Sequence, residues 1–298
     1  MMGHVAEAGE GQGRVVVWLP PGPRLSPQAI AVTLDLAASF GAEVEALYCE
    51  DRVIAAATAL PIASRRALDG GALLPAQRTS AAAAAEADAA FFLMRDALVA
   101  AASRRAILAT ARRQTGDPAE LIARACAEEG PWNVVVDAEP LSRATAGRLG
   151  DLLDAVWDAT GFVLVPGSAR GTLAPRHLLS RFGPVLVAVE DGERLMAQCR
   201  TARRLAARTR RSVVVLVLAD DEGAVATLAR EASRQLAGEP SLTVEAAPPC
   251  RGEPEVAVAA IARRAPSLLI ARYGGRAVPA GDLSALAAAM HGAVLVVR

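Results

Sequence analysis

The residues with the clearest chemical potential stand near the end of the sequence. Gly274, Gly275 and Arg276 follow the apolar run SLLIARY and precede a short helical stretch and the apolar run AVLVVR. Glycines in that setting form phosphate-binding turns, because a helix N-terminus offers free backbone N–H groups and a positive dipole end. Arg276 adds a guanidinium able to pair with phosphate. Glu190 closes an earlier apolar run, PVLVAVE, so a nucleotide held in this half would lie between Glu190 and Gly274–Arg276. The alternative is that Gly274-Gly275 is only a tight turn needing positive φ. Two further carboxylates, Asp137 and Glu139, follow the run NVVV, where doubly wound sheets bind ligands. They suit either a cation or acid–base role, or a solvated loop end.

Other chemistries are excluded by what is missing. All 32 basic residues are arginine, which removes the lysine-dependent phosphate loop and Schiff-base chemistry. There is no Gly-x-Ser-x-Gly elbow, no His-Glu-x-x-His pair and no Ser/His/Asp set, so no catalytic residue is assigned. Cys49, Cys126, Cys199 and Cys250 are far apart, as are His4, His177 and His291. That spacing gives no metal site and reads as reduced, buried thiols. Arginines and acids balance to zero net charge, which disfavours nucleic acid as partner. The N-terminal MMGHVAEAGEGQG has no apolar core of a signal peptide, and Glu86, Asp88, Arg95 and Asp96 interrupt the Ala-rich stretch that follows position 80. A membrane span would not tolerate them, so a cytoplasmic protein without membrane attachment is expected.

The elements that must position these residues alternate between short β-branched runs and Ala/Leu-rich stretches, the pattern of a parallel sheet covered by helices. RVVVWLP, EVEALYCE, AILATARRQ, NVVVDAE and FVLVPG supply five strands; PVLVAVE, SVVVLVLA, LTVEAAPP, SLLIARY and AVLVVR supply five more. Helices occupy corresponding places, so the order β-α-β-α-β-α-β-α-β runs twice, as a duplication would give. The expected division is a flexible tail over 1–13, a first domain over 14–167, a linker over 168–182 and a second domain over 183–298. Residues 52–80, between the second strand and second helix, have no counterpart in the second half. Such an insertion is either a lid or a set of local helices covering a sheet edge.

The stretch QTGDPAELIARACAEEGPWNVVV resembles the universal stress protein family, in which a Gly-Asp-Pro turn ends the third strand and starts the third helix. CRGEPEVAVAAIARRAPSLLIA is similar but weaker, and PVLVAVEDGE and AVLVVR look like the family's first and last strands. Asp117 before Pro118 also has a folding role, as an N-cap followed by proline at the first helical position. The resemblance implies a tandem α/β protein: two doubly wound five-stranded parallel sheets, order 3-2-1-4-5, packed as a pseudo-dimer through antiparallel last strands. It also implies what has been lost. ATP-binding members carry Gly-x-x-Gly, nine residues, then Gly-Ser or Gly-Thr, forming a nest for phosphates. Here Ala280-Gly281 stands at the Gly-Ser position too close to Gly274-Gly275, and the hydroxyl is gone. In the first half Gly150-Asp151 takes that position, where a carboxylate repels phosphate. The family's first-strand Asp, which meets the ribose, becomes Glu190.

The resemblance therefore implies a non-catalytic regulatory or stress-response protein acting through an unknown protein partner, with nucleotide binding degenerate or lost and no cofactor. The alternative is an ATP- or AMP-responsive switch using Glu190, Gly274, Gly275, Arg276 and Gly281. An enzyme of the wider nucleotide-binding α/β class is the third reading.

Overall fold

The computed structural model describes residues 14–19, 27–50, 80–128, 133–137, 150–151, 153–154, 162–165, 183–207, 211–239, 241–281 and 283–297. The expected tail over 1–13, the linker over 168–182 and insertion residues 52–79 lie outside them. Ser80 does not belong to the insertion, because it is the first residue of a helix.

In the first half, β1 (Arg14–Leu19), α1 (Pro27–Phe40), β2 (Glu43–Glu50), α2 (Ser80–Ser103), β3 (Ala109–Thr115), α3 (Pro118–Glu128), β4 (Asn133–Asp137) and β5 (Phe162–Val165) follow in order. The second half supplies β6 (Val185–Val189), α4 (Leu195–Ala207), β7 (Val213–Val217), α5 (Glu222–Gln235), β8 (Leu242–Ala246), α6 (Pro254–Ala262), β9 (Leu268–Arg272), α7 (Ser284–Ala289) and β10 (Ala293–Val297). The ten strands form one sheet in the order β3-β2-β1-β4-β5-β10-β9-β6-β7-β8. Every neighbouring pair is parallel except the middle one, where β5 and β10 run antiparallel with Leu164 opposite Leu295.

Sequence and position in the sheet agree. All five residues of β6 and all five of β10 are buried, as expected of strands covered on both faces. The outer strands β3 and β8 are only half-buried and carry Arg112, Arg113 and Glu245. Charges along an edge discourage pairing with another chain. Alternate side chains point to opposite faces, so Val185, Val187 and Val189 join one core while Leu186 and Ala188 join the other. Each core contains residues of both halves.

Helix starts follow local chemistry. Asp117 Oδ1 accepts a 3.0 Å hydrogen bond from the Glu120 backbone N–H, satisfying one of the orphan donors at the start of α3. Glu253 precedes α6 without any side-chain cap bond, and Pro254 begins the helix. Asp221 caps α5 through the Ala224 N–H at 2.8 Å.

Candidate functional site

The C-terminal ends of β6, β7 and β9 meet where the second half's strand order reverses, the place at which open α/β sheets take ligands. Glu190 stands immediately after β6, and the turn Gly274–Arg276 follows β9 shortly. Gly274 has φ of +73°, a conformation that glycine adopts without steric cost. Gly275 leaves room for a neighbour: a Cβ there would lie 2.5 Å from Glu190 Oε1 and would push that carboxylate aside.

That proximity exists because the Glu190 carboxylate folds into the turn. Its Oε1 accepts from the Arg276 N–H at 2.7 Å and from the Ala277 N–H at 3.3 Å. Two successive backbone N–H groups converging on one anionic oxygen form a nest, the device that holds phosphate in nucleotide-binding loops. Glu190 Oε2 also lies 3.3 Å from Arg276 Nη1, and only 9% of the Glu190 side chain is exposed.

Arg276 is held from the other side by Asp220, three residues past β7. Its Nε donates to Asp220 Oδ1 at 3.0 Å and its Nη2 to Oδ2 at 2.7 Å, the bidentate geometry that suits a planar guanidinium. Asp220 Oδ1 accepts a third bond, from the Gly252 N–H at 3.0 Å. The Arg276 bonds, followed by the Gly252 bond, hold the Asp220 carboxyl at a pKa of about 2. The pair also raises the pKa of Arg276 above its ordinary value, chiefly through the Asp220 bonds. Cys250 adjoins this cluster as a buried free thiol, and burial pushes its pKa up, which disfavours the reactive thiolate.

Sequence reasoning thus identified Glu190, Gly274, Gly275 and Arg276 as neighbours, and the structure brings them together. Their bonding differs from the expectation. Arg276 is not an open phosphate partner but is engaged by two carboxylates, and Glu190 takes up the amides of the glycine turn. Gly281 makes its bonds elsewhere: its N–H donates to the Tyr273 hydroxyl at 3.3 Å. That hydroxyl in turn donates to Asp154 of the first half, and burial, then the Asp154 bond, raises its pKa to about 12. A Cβ on Gly150 would lie only 2.6 Å from the Gly281 carbonyl oxygen. Gly150 and Gly281, the two positions where Gly-Ser was expected, therefore face each other across the halves. Leu283, not a hydroxyl residue, occupies the N-cap of α7 and makes no side-chain cap bond.

Asp220, Tyr273 and Asp154 were not singled out in the sequence. Asp220 was accessible to reasoning, because an acid past β7 must lie beside one past β6 once those strands pair in parallel. In the first half, Asp137 is the last residue of β4, while Glu139 lies outside the described residues. Among the described residues no three His, Cys, Asp or Glu side chains group to hold a metal ion. No helix among them is long and apolar enough to cross a membrane.

No protein-family model and no curated protein matches the sequence. Solved structures do match the fold. A universal stress protein from Archaeoglobus fulgidus superposes with a TM-score of 0.58 at 13% identity, covering 95% of this chain and 96% of that one. A putative universal stress protein from Pseudomonas aeruginosa gives 0.53 at 16% identity, covering 95% and 92%. The cytoplasmic domain of a prokaryotic cation chloride cotransporter gives 0.53 at 10% identity, covering 96% and 95%. Ten strands in this order, with helices on both faces and near-complete coverage by such neighbours, give the chain the universal stress protein fold.

Proposed function

We propose that this chain is a tandem universal-stress-type protein whose two copies form an internal pseudo-dimer, and that it acts in stress response through protein contacts, without nucleotide. One observation carries this reading: the Glu190 carboxylate occupies the amide nest of its own Gly274–Ala277 turn. A phosphate entering there must displace a tethered anion and meet the negative charge of Glu190 and Asp220 at close range, which is unfavourable without a further cation. Three of the five Arg276 N–H donors already serve these two carboxylates, and its charge is more than offset by theirs. The duplication reading is supported by the mirrored strand order on either side of the β5–β10 seam. Fold likeness at this level of identity assigns no activity, so the site carries the functional reading.

The test is mass spectrometry of small molecules released from protein purified without added nucleotide, paired with thermal shift in millimolar ATP and AMP. No adenine nucleotide and no shift are expected. Recovery of ATP or AMP would instead favour the switch reading, for which the convergent amides and guanidinium are the favouring feature.

A further inference from the structure

Helices α4 and α5 lie side by side on one face of the sheet. Both pack on β7, and each follows a strand of the parallel second half, so the two run in the same direction. Cys199 and Ala202 of α4 and Ala232 of α5 are buried in the same core. Outward, α4 is basic. Met196, Arg200, Arg203, Arg204 and Ala207 are its exposed residues, and at 100° per residue they share one side of the helix. On α5, Arg230 and Arg234 are exposed about one turn apart. No acid occurs in α4. On α5, Glu231 accepts from the Gln235 amide at 3.0 Å, and Glu222 lies in the first turn, at the opposite end from these arginines.

Folding does not account for these charges. Arginines in a last turn offset a helix dipole, yet α1, which takes the corresponding place in the first half, contains no basic residue and forms all the same. Arg204 is committed to the fold: its Nε donates to the Ser39 carbonyl at 2.8 Å and its guanidinium lies 5.2 Å from the centre of the Phe40 ring. It thereby ties α4 to α1 across the two halves. Arg203 pairs with Glu239 at 2.6 Å but keeps 46% of its side chain exposed, and a surface pair of this kind is worth little. Arg230 bonds within its own helix, to the Ala226 carbonyl at 3.3 Å and the Thr227 hydroxyl at 3.4 Å. Arg200 and Arg234 have no bonding partner among the described residues.

The surface suits carboxylates of a protein better than other anions. Guanidinium forks match carboxylates, and Arg203 with Glu239 already makes that pairing here. The arginines recur at helical spacing on both elements, so a helix carrying acids at the same spacing can meet them along its length. A lipid surface would need an apolar helix face to insert, and the apolar faces of α4 and α5 are turned into the core. A nucleic acid would meet the half-buried carboxylates of Glu231 and Glu239 among the arginines. Neither helix offers an aromatic residue on which a base could stack.

We infer that the outer arginine face of α4 and α5 docks an acidic helical segment of a protein partner. The inference rests on the reading that this chain acts through protein contacts, and it supplies the surface and the partner's chemistry.

Fluorescence anisotropy of a labelled Glu- and Ala-rich helical peptide, titrated with the full chain, tests it. The peptide is expected to bind at low salt and to dissociate as salt rises, because exposed charges are screened. Arg200→Glu with Arg234→Glu should weaken binding by about tenfold or more, since attractive contacts become repulsive. Arg124→Glu with Arg263→Glu changes the net charge equally at exposed sites on and beside α3 and α6, helices of the other core. That control should leave affinity within about twofold, because distant exposed charges are screened. Circular dichroism checks that each variant folds. If the glutamates disturb the helices, Arg200→Gln with Arg234→Gln carries the test, with a smaller loss in the same direction. No binding at low salt, equal weakening by both charge-reversed pairs, or tighter binding to duplex DNA or phosphatidylserine vesicles than to the peptide would each overturn the inference. Recovery of bound ATP or AMP would instead overturn the functional reading, and lost peptide binding would leave the nucleotide result untouched, so the two failures are distinct.

Discussion

Two regions of the second half are tied to their surroundings in opposite ways. At the seam, β10 is paired on both sides and buried throughout, and its residues are Ala, Val and Leu alone. At the crevice, the ends of β6, β7 and β9 are joined by one guanidinium and two carboxylates. The seam relies on backbone hydrogen bonds and apolar burial, which are insensitive to salt and to acid. The crevice relies on charges that are partly exposed, which salt screens and acid neutralises. One connection fixes the architecture, and the other fixes a surface where a ligand would bind. The strength of each can therefore be changed without touching the other.

The largest separation between them should come from Leu295→Pro. Leu295 is fully buried between β5 and β9, and proline there removes a ladder hydrogen bond in a central strand, which sheets tolerate essentially only at their edges. Chemical denaturation should show the whole chain destabilised, not only its second half. A loss confined to a local probe near the C-terminus would mean that the halves hold together without the seam. Gly150→Val comes next, because its Cβ would press on the Gly281 carbonyl oxygen at 2.6 Å. Overpacking of this kind costs about 1–3 kcal/mol, read as a lowered melting temperature with an unchanged denaturant slope.

Arg276→Ala should lower the melting temperature, by leaving Glu190 with only backbone donors and Asp220 without its bidentate partner. Molar salt should narrow the gap between this variant and the wild type, since exposed charge pairs are screened. For Leu295→Pro the gap should not move. If salt affects both equally, the proposed contrast between seam and crevice is wrong. Tyr273→Phe removes the hydroxyl that bridges Asp154 and the Gly281 N–H, an expected loss of about 1 kcal/mol.

Of the five, pH gives the smallest effect, with a definite sign. Asp220 titrates near 2 in the folded chain against an ordinary value of 3.8. A folded-state pKa below the unfolded one contributes stability above the unfolded value, and that contribution fades as pH falls through the folded value. Melting temperature should thus drop between about pH 4 and pH 2 more steeply in the wild type than in Asp220→Asn. Parallel curves would show that Asp220 contributes nothing.

What could be read from the sequence followed the range of the interaction involved. Asp117 capping α3 is a contact three residues long, and Gly-Asp-Pro announces it. β6 and β10 are legible as uninterrupted Val/Leu runs because both their faces are covered. β3 was harder to place: AILATARRQ suggested an earlier start, whereas the strand is Ala109–Thr115, since an edge strand with arginines lacks a strong apolar pattern. The crevice was legible in its members but not in its bonding. Glu190 and Arg276 stand 86 positions apart, and nothing local indicates that the carboxylate turns into the amides instead of outward. Asp220 joins them because Val189 pairs with Val217 across β6 and β7, a neighbourhood that follows from parallel pairing of the two strands and not from any local motif.

The seam also sets a timetable for the newborn chain. β5 ends at Val165, while its antiparallel partner β10 begins at Ala293. At ribosomal rates of about 5–20 residues per second, the first half waits on the order of ten seconds with an unpaired strand at its margin. During that interval the strand's own partner has not been made, so it can accept β10 from a neighbouring, completed chain, which presents the same residues. Heavy expression on crowded polysomes should therefore yield exchanged dimers, in which each molecule donates its last strand to the other. Dilute refolding should yield the closed single chain, because the tether then gives its own β10 the higher effective concentration.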